Sequence, residues 1–222
     1  MITRFRDRIE AGRVLASKLT AYSNRADVLV LGLPRGGVPV AFEVARELGA
    51  PLDVFVVRKL GMPGHEEYAI GAIATGGVRI INEEATRAFG VTNAEIEAVT
   101  AEEQLELERR ERRYRDGRPA PDVAGKTVIL VDDGLATGST MRAAVEALRE
   151  EGPARLVVAV PTAAPETCRE IGALVDDMVC VMTPEPFYAV GLWYDDFGQT
   201  TDEEVHDLIA LSAAAAHGAA RS

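Results

Sequence analysis

The sequence predicts an α/β protein built on a doubly wound, mainly parallel sheet. Short, unbroken apolar runs alternate with segments of helical spacing, the pattern of strands buried on both faces and crossed over by helices. Loops of Gly, Thr, Ser and Arg follow several of those runs directly, and in such sheets ligands bind at the carboxyl ends of strands. At 222 residues and 47% hydrophobic content, the chain is long enough to bury a sizeable core.

Taken in order, residues 7–22 predict an amphipathic helix that carries acids and therefore does not read as a signal peptide. VLVLGL at 28–33 predicts a buried strand, because its apolar run does not alternate. Val38, Phe42, Ala45 and Leu48 then recur at helical spacing, and Gly49 closes that helix. DVFVV at 53–57 predicts the next strand, and the glycine pair of AIGAIATGGVRII a hairpin turn between Thr75 and Val78. Thr92 with Glu95 forms a capping box that opens a long helix. Glu106–Arg110, Glu108–Arg112 and Glu111–Arg115 support that helix as i,i+4 pairs in the favourable order. Its apolar face is thin, so it reads as a solvated arm or a dimer contact rather than a nucleic-acid surface.

Beyond the loop GRPAPDVAGK, TVILV predicts a strand, residues 139–150 a helix and ARLVVAVP a strand. A helix follows Pro165, and DMVCVM makes another strand. TPEPFYAVGLWYDDFGQT is an aromatic loop segment, and Thr201 with Glu204 caps a last helix whose tail, SAAAAHGAARS, is expected to fray. With no repeat and no clean linker, residues 1–222 read as a single domain.

Composition narrows the function. A net charge of −11 disfavours duplex nucleic acid, which needs a basic face. No apolar run approaches the ~20 residues that span a bilayer, and a cytoplasmic location is the expectation. The two cysteines, Cys168 and Cys180, have no CxxC spacing and no neighbouring His, so neither a disulfide nor a zinc site is expected; Cys180 reads as a small hydrophobe in a strand.

The chemistry concentrates in VILVDDGLATGST. Ala136, Thr137, Gly138, Ser139 and Thr140 open a helix, whose first amides lack intrahelical partners and accept an anion without a charged side chain. No Lys precedes the Ser/Thr, so this is not a Walker loop. Asp132 and Asp133, a few residues upstream, can take charge-assisted hydrogen bonds from a vicinal diol. Diol on one side and phosphate on the other is the shape of a phosphorylated ribose. In PRGG, Gly36 and Gly37 can expose amides in a turn that a Cβ would strain, while Arg35, Arg58 and Lys59 bring cations near strand ends.

These residues resemble type I phosphoribosyltransferases. VILVDDGLATGST is similar to that family's phosphoribosyl-pyrophosphate motif, LGLPRGGVPVAFEVARELGAPL to its pyrophosphate loop and following helix, and VRKLGMPGHEEYAIGA to the segment around its mobile catalytic loop. The resemblance spans roughly residues 28–160 and is most specific at 128–140. It implies that Asp132 and Asp133 bind ribose hydroxyls, that Ala136 to Thr140 hold the 5-phosphate, and that Arg35, Gly36, Gly37 and Arg58 or Lys59 take the pyrophosphate. Mg²⁺ would arrive on the substrate, with no direct protein ligand and with Asp132 and Asp133 reached at most through water.

In the same reading GMPGHEEYAIG, hinged at Gly61 and Gly64, is a lid, and Lys59 with Glu67 (or His65) serves charge neutralisation and proton transfer. The core covers about residues 25–182, and a hood at 183–200, with the terminal helix, selects the acceptor. Phe187, Tyr188, Trp193, Tyr194 and Phe197 supply the hood's stacking surfaces.

Enzymes of this type for 6-oxopurines carry an acid where Ala136 stands and a lysine where Ser139 stands; the loops here look more like adenine phosphoribosyltransferase. The expected activity is therefore Mg²⁺-dependent transfer of ribose 5-phosphate from phosphoribosyl pyrophosphate to a nitrogenous acceptor, a nucleobase or related heterocycle, by a homodimer. The alternative is a regulator that senses phosphoribosyl pyrophosphate without turnover. It would need an output module, and no basic helix-turn-helix is legible.

Overall fold

The computed structural model describes residues 4–219. The chain begins with α1 (Arg8–Ala16), β1 (Val28–Gly32), α2 (Gly37–Leu48) and β2 (Leu52–Val54). An excursion follows: β3 (Val57–Met62), β4 (His65–Ala74), β5 (Arg79–Ile81), α3 (Glu83–Ala88) and α4 (Asn93–Arg115). It closes with β6 (Thr127–Val131), α5 (Ser139–Glu150), β7 (Arg155–Thr162), α6 (Pro165–Gly172), β8 (Asp177–Met182) and α7 (Asp202–Ala219).

The main sheet has the order β2-β1-β6-β7-β8 and every pairing in it is parallel, as the unbroken apolar runs predict. All five residues of β1 and of β6 are buried. Alternate side chains feed two cores: Val28, Val30, Ile129 and Val131 pack toward α1, α2 and α7, while Leu29, Leu31, Val128 and Leu130 pack toward α5. Winding proceeds outward from β1 to β2, then returns on the other side of β1 through β6. The loops after β1 and β6 therefore face each other across a topological switch point, where doubly wound sheets bind ligands.

Several expectations are met at their residues. Gly49 caps α2 in the left-handed conformation at φ 64°. Thr92 and Glu95 form the capping box of α4, and Glu106–Arg110 and Glu111–Arg115 hydrogen-bond at 2.8 and 2.9 Å. Thr201 and Glu204 cap α7 reciprocally, and Gly76 and Gly77 turn β4 into β5.

Others are corrected. The predicted strand at 53–57 is divided between two sheets: β2 ends at Val54, and after buried Phe55 and Val56 the chain enters β3. A single apolar run cannot reveal that its halves pair with different partners. The predicted lid is the distal part of the β3–β4 hairpin, antiparallel with register shifts around Gly61, so its backbone is paired where a loop was expected. Gly64, at φ 78°, makes its turn. The helix at 7–22 ends at Ala16 and is followed by a 3₁₀ turn at Thr20–Tyr22, whereas the alanine-rich tail remains helical to Ala219.

The Glu/Arg helix α4 is no solvated arm. It buries Ile96, Leu107, Tyr114 and Arg115. Arg115, 2% exposed, spends its guanidinium on Asp53 (2.8 Å), Glu111 (2.9 Å) and the Val54 carbonyl (2.7 Å), so each of its three nitrogens has a partner where the charge is buried. Cys168 on α6 and Cys180 on β8 form a disulfide, against the sequence expectation. Spacing rules see local pairs, and these two meet only because α6 packs on β8. Among the described residues, no helix is long and apolar enough to cross a membrane.

Candidate functional site

The buried strand β6 ends by delivering two carboxylates side by side. Asp132 Oδ1 accepts the Asp133 amide at 2.8 Å, which turns the chain away from the sheet. Burial raises both acids above the ordinary carboxylate range. For Asp132 the charge of Asp133 adds to that, while for Asp133 the Arg8 guanidinium opposes it. Nε and Nη2 of Arg8 both lie 2.8 Å from Asp133 Oδ2, and each side chain is only 13% exposed.

The PRGG turn meets this pair at contact distance. A Cβ on Gly36 would come within 2.0 Å of Asp133 Oδ2, and one on Gly37 within 2.8 Å of the Val131 carbonyl. Gly36 has ordinary right-handed dihedrals, φ −62° and ψ −30°. The reason for glycine is therefore close approach, not the strained turn expected from sequence. The Pro34–Arg35 peptide is cis. Arg35 lies 3.9 Å from Asp202 at the start of α7.

Downstream, Ala136 to Thr140 form the loop that enters α5. Gly138, left-handed at φ 69°, is its N-cap, and a Cβ there would meet Thr167 Cγ2 at 2.6 Å. Thr167 Oγ1 donates to the Ala136 carbonyl at 2.6 Å, so α6 buttresses the loop from behind. Thr137, Ser139 and Thr140 remain exposed beside helix amides that have no intrahelical partner. An anion with several acceptor oxygens fits that cradle.

Lys59 lies on the β3 face that looks at this loop. With Ser139, Thr140 and Ala143 it lines a cavity of about 130 Å³. Arg58 is not part of the site: adjacent strand residues point to opposite faces, and its Nε binds Glu103 of α4 at 2.6 Å. The Glu67 side chain lies outside the described residues. His65 and Tyr68 line a separate cavity of about 430 Å³ with Phe89 and Val91, near the hairpin turn.

The segment 183–200 lies along the N-terminus. Phe5 N donates to the Trp193 carbonyl at 2.9 Å, and Asp195 N and Asp196 N donate to Phe5 and Arg6 at 2.8 Å each. The expected aromatics divide by role. Tyr194 is buried against Phe5, and its hydroxyl donates to the Asp133 carbonyl at 2.5 Å. Burial, then the Asp133 charge, raises that phenol well above its usual range. Trp193 stacks on Phe187 with centroids 6.2 Å apart, Phe197 lies under Arg8, and Tyr188 is 78% exposed.

Arg8 and Thr167 are the site residues that sequence reasoning missed, and Tyr194, expected as a stacking surface, instead binds the Asp133 carbonyl. Arg8 stands 125 positions from its partner, in a helix rich in arginine, and no local motif marks it. Among the described residues, no group of three or more His, Cys, Asp or Glu could cage a metal ion. Two half-buried carboxylates at the cleft still suit a hydrated Mg²⁺ brought by phosphate oxygens, since that ion keeps its waters and takes few protein ligands.

The phosphoribosyl transferase domain model matches residues 1–191. MT0597 of Mycobacterium tuberculosis (strain CDC 1551 / Oshkosh) is 47% identical over 201 residues, which are 90% of this chain and 45% of that protein. The chain thus spans about half the length of the curated relatives it matches. The bifunctional protein PyrR of Chloroflexus aurantiacus is 34% identical over 129 residues, 57% of this chain and 65% of PyrR. The crystal structure of TT1426 from Thermus thermophilus superposes with a TM-score of 0.82 at 45% identity, covering 93% of this chain and 97% of that one.

Proposed function

Because the chain belongs to the phosphoribosyl transferase domain family, we propose that it transfers ribose 5-phosphate from phosphoribosyl pyrophosphate to a nitrogenous acceptor, a nucleobase or related heterocycle. The observation that carries the reading is the acid pair Asp132–Asp133, set between the Gly36–Gly37 turn and the amide cradle at Ala136 to Thr140. That order, pyrophosphate turn, diol acceptors and phosphate cradle, follows the donor from one end to the other.

In the reaction the bond from C1 to the pyrophosphate oxygen breaks, its electron pair leaves with pyrophosphate, and an acceptor nitrogen bonds C1 and sheds a proton. Positive charge grows on the ribose ring, where Asp132 and Asp133 are placed to favour it. Negative charge grows on the leaving group, toward which the Gly36 amide, Arg35 and Lys59 are the donors; the Gly37 amide, expected from sequence to be exposed, is spent on the Leu33 carbonyl at 3.1 Å. Bound Mg²⁺ would supply Lewis-acid neutralisation of the pyrophosphate, held by the donor's own oxygens with Asp132 and Asp133 reached through water. The aromatic pair Phe187–Trp193 supports a flat acceptor, and the hood and hairpin tip keep water from the ring.

Isothermal titration of phosphoribosyl pyrophosphate with Mg²⁺ tests the binding half. Wild type should bind and the Asp132→Asn/Asp133→Asn double variant should not. Two folded proteins that both fail to bind would end the proposal. Pyrophosphate release across a panel of bases then separates turnover from binding alone.

A further inference from the structure

Arg8 contacts both halves of the cleft with one guanidinium. Nε and Nη2 lie on Asp133 Oδ2 at 2.8 Å, while Nη1 donates to the Gly198 carbonyl at 2.6 Å. The same group lies 4.0 Å from the Phe197 ring centroid, a cation–π distance. Phe197 in turn packs on Tyr194, centroids 5.0 Å apart. One end of the fork is thus on the acid pair and the other on the hood.

We propose that Arg8 is a positioning residue that ties the place of the hood to the state of the Asp133 carboxylate. The inference rests on the reading of Asp133 as an acceptor for ribose hydroxyls. Two of the guanidinium's contacts with that carboxylate fall on a single oxygen, so a hydroxyl that donates there draws on the same lone pairs that hold Arg8. A loosened fork also loosens Gly198 and Phe197, because a planar guanidinium cannot turn one edge without the other. The pair is largely shielded from solvent, where charge-assisted bonds are worth more than at the surface. Asp132 and the Tyr194 hydroxyl flank Asp133, and Asp7, Asp196 and Glu204 share with Arg8 a cavity of about 210 Å³ on its outer side. Those outer acids offer Arg8 a second seat when Asp133 is engaged.

Trp193 is the sole tryptophan of the chain and belongs to the hood, so its emission reports hood position without a label. Acrylamide quenching should be compared in wild type, Arg8→Gln, Asp133→Asn and the double variant, all without ligand and after circular dichroism has shown each to be folded. Each single change should raise the quenching constant about twofold or more, and the double no further than the larger single, as for two groups acting through one contact. Arg8→Lys keeps the charge without the fork and should fall between wild type and Arg8→Gln, which serves as the test if Arg8→Gln does not fold. Unchanged quenching in the Arg8 variants, or simple additivity in the double, would overturn the proposal.

Ribose 5-phosphate then supplies the ligand arm. It should shift Trp193 emission in wild type and lose that shift per bound molecule, counted by calorimetry, in Arg8→Gln. Wild type that fails to bind ribose 5-phosphate counts against the phosphoribosyl reading, and the ligand-free quenching still decides the coupling.

Discussion

Asp132 shows at one residue how a site conflicts with stability. Burial and the neighbouring charge raise its pKa, so the folded protein holds that proton more tightly than the unfolded chain does. For a raised acid the penalty of ionisation is full above the folded pKa and disappears as pH falls to the unfolded value. Asp132→Asn should therefore raise the ligand-free Tm, by roughly the 2–4 °C that about 1 kcal/mol moves a domain of this size. The gain should shrink as pH is lowered, and the same variant should bind phosphoribosyl pyrophosphate far more weakly; a lower Tm at pH 8 would refute the argument. Gly36→Ala belongs to this scale too. Its methyl would press on Asp133 Oδ2 from a backbone that any residue can adopt, so donor affinity should fall tenfold or more in titration calorimetry while the helix content is unchanged. The acids and the glycines were legible in sequence because contiguous residues make the cradle. Arg8 was not, and Tyr194 was legible only as a hood aromatic, because only the folded chain brings them to Asp133.

Among the elements, α4 departs furthest from its sequence. Its polar composition reads as solvated, and the i,i+4 pairs are indeed present. Yet its last turn buries an arginine on Asp53 and a tyrosine on Asp202, at 2.8 Å each, and burial with that carboxylate pushes Tyr114 up to about 12. Periodicity scores apolar side chains and is blind to a buried charge that finds its partners in β2. Arg115→Ala leaves Asp53 without its partner in a half-buried setting and should cost about 3–5 kcal/mol in chemical denaturation, whereas loss of the exposed Glu108–Arg112 pair should cost under about 1. β1, β6, β7, β8 and α5, whose signals are apolar runs and spacing, were read nearly to the residue, whereas β2 and β3 were merged and the tip of the β3–β4 hairpin was read as a loop.

For the whole molecule, the order β2-β1-β6-β7-β8 was legible only as a class, since alternation of elements implies a parallel sheet without ranking its strands. The excursion from β3 to α4 is inserted between the two halves of the winding. The disulfide acts at this scale as well. Cys168 and Cys180 are 12 residues apart, and the chain-entropy model gives such a closed loop about 3 kcal/mol. A dithiol reductant, or Cys168→Ser, should lower Tm by roughly 6–12 °C. A thiol count that changes on reduction without any change in Tm would contradict that. Two buried residues, Phe55 and Val56, are all that separates the main sheet from the small one, so the arm bearing Lys59 has no free pivot at its root. Past the register shift at Gly61 the hairpin reaches roughly 10 Å further, at about 3.3 Å per residue. Lys59, paired with Ala72 two residues before that shift, is held by the ladder, so its reach toward the Ser139–Thr140 loop is set by the fold and not by the hairpin tip.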